Sequence, residues 1–353
     1  MSVVYCGIDF HKRTCAVAMK DFNGKAIEKT MNIETKRLVS YLSNRKDLLI
    51  GIEASGGTND MVEKLKASGH DVRIINPTKF RAVGIGGKKT DERDAETIAD
   101  YLRTNLIPEV HHKCKSSREL KSIIIMREHL VRCRTNTVNH VRGILREYGI
   151  TMKVGFENFL AEVDSCIELI KNEIISKSLK VQVEMIRKLH KDQLEMEADL
   201  MRISESSNQA QLLQTVPGIG LLGSIIMIAI VDDISRFKNA KAFASYLGLV
   251  PSEHSSGDKR RLGGITRSGS EITRRYLIHG ARSVLTSPSM TMKADPNRKW
   301  AERIEHRKGR NKATVALAHR LARIAFAIIR DETKYTTKPI KKISDEIILR
   351  KAS

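Results

Sequence analysis

Three apolar runs stand within the first 33 residues, 3-VVYCGIDF-10, 14-TCAVAMK-20 and 25-KAIEKTMNI-33, joined only by 11-HKR-13 and a turn at 21-DFNG-24. Connectors this short leave no room for a crossover, so the chain must begin as an antiparallel meander. The pattern then changes. Residues 35–44 carry helical spacing, and 48-LLIGIEA-54 reads as a largely buried strand. Residues 58–69 read as a helix closed by Gly69, and 71-DVRIIN-76 as a fifth strand stopped by Pro77.

Three hairpin strands followed by alternating helix and strand is the element order of an α/β RNase H-like (resolvase-like) sheet, expected over residues 1–108. Sugar kinases and actin-like ATPases share that order. They cradle a phosphate on glycines in the first turn, and His11, Lys12 and Arg13 supply none. A coiled-coil-like helical arm is expected over 109–208. Within a helix of about 117–148, Ile124, Val131, Val138 and Leu145 recur every seven residues, and a second helical stretch covers 163 to about 205. Arg127 and Arg134 interrupt that seam, which leaves intramolecular packing and a dimerising or RNA-contacting role both open. A mostly α domain is expected over 209–300, with a helix-hairpin-helix-like segment near its start, and basic helices over 301–353.

The chain carries 62 Lys+Arg against 41 Asp+Glu, a net charge of +21. Such an excess calls for a polyanionic partner, because neutralising phosphates releases condensed counterions. Nucleic acid is the first expectation and a membrane surface the second. The longest apolar run, 221-LLGSIIMIAIV-231, is too short to span a bilayer. No signal peptide precedes the first strand, so nothing points to export and a cytoplasmic protein is expected. Five cysteines (Cys6, Cys15, Cys114, Cys133, Cys166) are odd in number and lack CxxC pairing, as reduced thiols would. The cluster 111-HHKC-114 lacks the second ligand pair of a zinc site.

Against this charge, four acids occupy particular places. Asp9 follows the first apolar run, Glu53 the fourth, and Asp91 and Asp94 open the helix after the fifth strand. In the expected sheet the first and fourth strands are neighbours and that helix packs beside them, so the four converge on one edge. Clustered carboxylates repel unless a divalent cation neutralises them, and hard oxygen ligands suit Mg²⁺ or Mn²⁺. Bound there, such ions activate an attacking oxygen and stabilise a leaving oxygen on phosphate. The plain alternative for Asp91 and Asp94 is complementing a helix dipole.

Two segments of the second half carry signals. The turn 217-PGIG-220 resembles a helix-hairpin-helix, in which Gly218 and Gly220 let backbone N–H groups approach a DNA phosphate, or else it is an interhelical turn packed on its own core. In 246-YLGLVPSEHSSGDKRRLGGITRSGS-270, Ser255 and Ser256 precede Gly257 and the basic run of Lys259, Arg260 and Arg261. A serine attacks phosphate only when its proton is removed and the phosphate charge offset. By itself a Ser-Gly pair is an ordinary turn.

The series 7-GIDFHK-12, 52-IEASGG-57, 75-INPTKFR-81, 89-KTDERDA-95, 215-TVPGIG-220, 246–270 and 312-KATVALAHRLA-322 resembles the DEDD insertion-sequence transposases, bridge-RNA-guided recombinases, over nearly the whole chain. That resemblance implies a transposase that inserts and excises a mobile element through a covalent phosphoserine intermediate. Its metal-binding acids would be Asp9, Glu53, Asp91 and Asp94, with Mg²⁺ as cofactor and Mn²⁺ able to substitute. Its nucleophile would be Ser256, with Ser255 the lesser candidate if the register is shifted. The implied partners are target and donor DNA, a structured non-coding guide RNA, and further copies of the chain. These assemble as dimers and then a tetramer, the acids of one subunit completing a site with the serine of another. The basic and glycine positions expected to hold nucleic acid are Lys12, Lys89, Gly218, Gly220, Lys259, Arg260, Arg261, Arg267, Arg274 and Arg275. Rival readings are a metal-dependent junction resolvase or nuclease using water, and a non-catalytic nucleic-acid-binding protein.

Overall fold

The computed structural model describes residues 3–45, 47–77, 80, 91–253 and 261–337. The chain divides into two compact units, Met1–Lys113 and Cys114–Ser353. The first is built on a six-stranded sheet of order β3-β2-β1-β4-β5-β6. Its strands are β1 (Val4–Phe10), β2 (Thr14–Lys20), β3 (Ala26–Glu34), β4 (Leu48–Glu53), β5 (Asp71–Ile75) and β6 (Glu109–Val110). The β1–β2 and β2–β3 pairs are antiparallel and β1–β4 and β4–β5 parallel, so the meander and the first–fourth strand neighbourhood are as the sequence predicts. The two-residue β6 pairs antiparallel with β5 and was not anticipated, being too short to carry an alternation.

Alternation along β1 and β4 assigns the faces. Cys6, Ile8 and Phe10, with Ile50 and Ile52, join one core under α1 (Leu38–Ser43) and α2 (Thr58–Ala67), whose Leu38, Leu42, Met61, Val62 and Leu65 complete it. The intervening residues belong to the other face, covered by α3 (Asp91–Arg103). There β1 and β4 present Gly7 opposite Gly51. A Cβ on Gly7 would overlap the Ala95 carbonyl oxygen and reach 2.7 Å from the Ala99 nitrogen, and one on Gly51 would come within 2.8 Å of the Ile98 side chain. The paired glycines therefore let the α3 backbone lie directly on the sheet.

Among the described residues, the second unit is helical apart from one small hairpin. Its long helices α4 (Lys115–Glu147) and α6 (Glu173–Ser206) pack together, with the shorter α5 (Phe156–Glu168) against α6. The second helical stretch of the arm is thus two helices. The Asn172 side chain accepts from Ile174 N and Ile175 N, capping α6 and forcing the break. Of the heptad residues, Ile124, Val138 and Leu145 are buried, and Val131 is half-buried.

Two separate cores lie along the arm. Val138, Val141 and Leu145 pack with Phe159, Val163, Leu179 and Ile186, whereas Ile124 and Leu200 join the large core of the remaining helices. Between them sits a polar layer. Arg127 donates to Glu197 (2.8 Å), to Glu128 (2.9 Å) and to the Tyr276 hydroxyl (3.3 Å), and Gln193 also donates to Glu197 (2.9 Å). Burial pushes the Glu197 carboxyl up, but the Arg127 and Gln193 hydrogen bonds override it and hold the group below the usual carboxylate range. Arg134 lies 3.0 Å from His190 Nδ1 and 4.1 Å from the Phe156 ring centre. Both seam arginines are thus engaged within the chain.

The remaining helices are α7 (Asn208–Gln214), α8 (Leu221–Val231), α9 (Ala240–Tyr246), α10 (Glu271–Thr286), α11 (Met290–Ala294), α12 (Pro296–Lys308) and α13 (Arg310–Asp331). The hairpin pairs β7 (Pro251–Glu253) with β8 (Leu262–Ile265). No described helix is long and apolar enough to cross a membrane.

Gly7→Ala is expected to lower unfolding stability by about 1–3 kcal/mol in urea titrations, because helix and sheet must separate. Gly56→Ala, where an added Cβ meets nothing within 4 Å, should change it by less than about 0.5 kcal/mol. Arg127→Ala, which removes one of the hydrogen-bond partners of both Glu197 and Glu128, should cost about 1–3 kcal/mol by the same measurement.

Candidate active site

The glycine pair also aims the acids. Asp9 and Glu53 lie two residues beyond Gly7 and Gly51, on the same face of adjacent parallel strands. The first turn of α3 carries Asp91 and Asp94 toward that end of the sheet, since Ala95 sits over Gly7. Glu53, Asp91 and Asp94 each fall within electrostatic reach of Asp9.

Asp9 is buried, with 6% of its surface exposed, while Glu53 and Asp94 are half-buried and Asp91 is open to solvent. Burial pushes the Asp9 carboxyl above the usual range. The neighbouring His11 opposes this, and Asp91, Asp94 and Glu53 each add to it. The Glu53 backbone is fixed by Thr58, whose hydroxyl donates to the Glu53 carbonyl at 3.0 Å and also accepts from Ser55 N at 2.9 Å.

His11 is the residue that the sequence reading left as part of a turn. Its Nε2 stands 3.2 Å from Asp9 Oδ2 and 3.6 Å from Asp91 Oδ2. Asp9, His11 and Asp91 each offer a ligand atom within 4.8 Å of the others, a set fit for a divalent cation. The signal was present as an Asp-x-His step across the end of β1. Its spacing puts the ring beyond the strand, where it folds back over the carboxylate. Beside the acids, Phe10, His11, Lys12, Ser55, Gly56 and Gly57 line a cleft of about 520 Å³.

In the second unit the expected sites separate. Ser255, Ser256, Lys259 and Arg260 lie outside the described residues, as does Lys89. Arg261 and Arg267 are exposed on the hairpin and the segment after it. Arg274 corrects the expectation of a surface cation. It is buried, 8% exposed, and donates to the carbonyls of Leu247 (3.2 Å) and Ser268 (3.1 Å), bracing the segments on either side of the hairpin. Arg275 is exposed but pairs with Glu128 and lies over the Tyr276 ring. Gly218, at φ +89, abuts the Gly280 backbone of α10, so close internal packing already demands a glycine there. Gly220 faces open space at the start of α8.

Family models match both units. Residues 6–150 match the DEDD IS110 transposase model, and residues 210–295 match the transposase IS116/IS110/IS902 family. The chain belongs to this transposase family. It is 29% identical over 335 residues to the transposase of insertion sequence element IS1111A from Coxiella burnetii, covering 93% of this chain and 90% of that one. It is 32% identical over 295 residues to a probable family 20 transposase from Pseudomonas aeruginosa, covering 81% and 85%. A putative transposase of Sinorhizobium fredii is 28% identical over 308 residues, covering 86% and 78%. Membership makes the protein a DNA-recombining enzyme with a DEDD-type domain, and such a domain points to divalent-metal use.

A carboxyl whose folded value is raised binds its proton more tightly when folded than when unfolded. Native stability therefore falls as pH rises from the ordinary carboxylate value through the raised one. In chelator, Asp9→Asn is expected to melt above the wild type, by a margin that grows across that window. Added Mg²⁺ or Mn²⁺ should raise the melting temperature of the wild type and leave the variant unmoved.

Proposed function

We propose that this transposase inserts and excises its element by serine attack on a DNA backbone phosphate, assisted by Mg²⁺ held by Asp9, Glu53, Asp91 and Asp94. The observation that carries the reading is the gathering of three further acids around a buried Asp9 in a chain of net charge +21. A bound divalent ion would supply charge neutralisation at the attacking and leaving oxygens. His11 would orient the Asp9 carboxylate, and Lys12 would hold the adjacent phosphate.

Ser256 is the proposed nucleophile. As its Oγ bonds to phosphorus, the bond from phosphorus to the leaving strand oxygen breaks, and that oxygen departs as a hydroxyl. The phosphodiester energy stays in the phosphoserine link, so attack by another strand's hydroxyl reseals DNA without ATP. Sequence choice would come from pairing between a structured guide RNA and both DNAs, the protein reading backbone and shape. The family resemblance supports that guide and an assembly of dimers into a tetramer.

The test is a denaturation-resistant protein–DNA adduct on gels. Wild type should form it, Ser256→Ala should lose it with recombination falling by at least about 10³-fold, and Ser255→Ala should retain both. An active wild type that yields no adduct, together with activity kept in Ser256→Ala, would transfer the assignment to a water-using nuclease.

A further inference from the structure

A cleft of about 1460 Å³ opens in the helical unit, between the hairpin, α10, α12 and α13. Its floor is apolar, with Leu249, Ile265, Ile278 and Val315, and its wall carries Trp300, the single tryptophan of the chain. Arg320 lies 4.7 Å from the Trp300 ring centre, so the indole is already one layer of a cation–aromatic stack. Two imidazoles, His279 and His319, also line the cleft. Burial, and then the neighbouring Arg323, hold His319 below its ordinary value, so at neutral pH it offers a neutral ring with both a donor and an acceptor.

The rim is cationic. Arg267, Lys308 and Lys312 are exposed and have no carboxylate partner among the described residues, while Arg274 and Arg275 are committed elsewhere. Among the described residues, Glu271 is the only acid in the lining. A duplex backbone would need only the charges. It could not use a concave apolar floor with an aromatic wall, because its bases are stacked inside. An unpaired nucleotide uses every part: the base meets the ring and the apolar floor, its polar edge meets imidazole, and its phosphate meets the lysines.

We propose that this cleft seats an unpaired nucleotide, with Trp300 against its base and Lys308 and Lys312 on its phosphate, making it a nucleic-acid subsite in addition to the four acids. The proposal rests on the chain acting on nucleic acid, and not on Ser256 being the nucleophile. During strand exchange such a seat would hold a base freed from its pair at the moment the strands separate.

Because Trp300 is the sole tryptophan, its emission reports on the cleft alone. The full-length protein is titrated with a short oligodeoxythymidine, the matching oligouridine and a blunt hairpin duplex. At least one single strand should shift or quench the emission and shield the indole from acrylamide, at concentrations where the duplex does neither. A stronger response to the deoxy strand assigns the seat to recombining DNA, and a stronger response to the ribo strand assigns it to guide RNA. Trp300→Ala should weaken single-strand binding about 5- to 100-fold, read by anisotropy of a labelled strand. Lys308→Ala with Lys312→Ala, both on exposed side chains, should weaken it further and flatten its salt dependence while leaving the melting temperature in place. Equal acrylamide access with and without either single strand, or equal affinity in the lysine variant, would overturn the proposal whatever becomes of the serine.

Discussion

The close approach of α3 to the sheet governs the first unit. Two glycines at the same height on adjacent parallel strands remove the side chains that would otherwise hold the helix off the sheet. Everything chemical about that end of the domain follows from the distance saved. The helix that lies down on Gly7 and Gly51 brings its first turn, with Asp91 and Asp94, over the ends of the strands that carry Asp9 and Glu53. A larger residue in either glycine position would lift the helix and separate the acids without altering one of them.

The electrostatic cost of the arrangement is visible at Asp9. It is buried, crowded by three like charges, and answered within the described structure only by an adjacent imidazole. A cluster of this kind raises the energy of the empty fold and lowers it when a cation is bound, so binding and folding are coupled through one carboxylate. The strong positive charge of the rest of the chain works on a longer range, drawing in a polyanion that the acids alone would repel.

Much of this was legible in the sequence, for definite reasons. The opening meander followed from connectors too short to cross over, and the four acids stood out because each ends or opens a strongly patterned element. The glycines did not stand out, because a glycine in an apolar run looks the same whether it weakens a strand or admits a helix. His11 was hidden for a similar reason: a residue in a tight connection has no periodicity to betray where its ring points. Arg274 misled because a basic run reads as surface, while the turn of α10 sends one of two adjacent arginines inward to the Leu247 and Ser268 carbonyls. The seam arginines could not be assigned from spacing, since their partners Glu197 and His190 are more than fifty residues away. The break at Asn172 was missed because an N-cap is a single side chain inside a long helical pattern.

The polar layer that parts the arm's two cores has a mechanical meaning. Helix α4 is continuous from Lys115 to Glu147, yet its ends belong to different hydrophobic clusters with a seam of ionic bonds between. Apolar contact transmits cooperativity, and here it is interrupted. The far end of the arm thus keeps a hydrophobic core separate from that of its base, and native-state hydrogen exchange is expected to show the two lengths opening at different free energies.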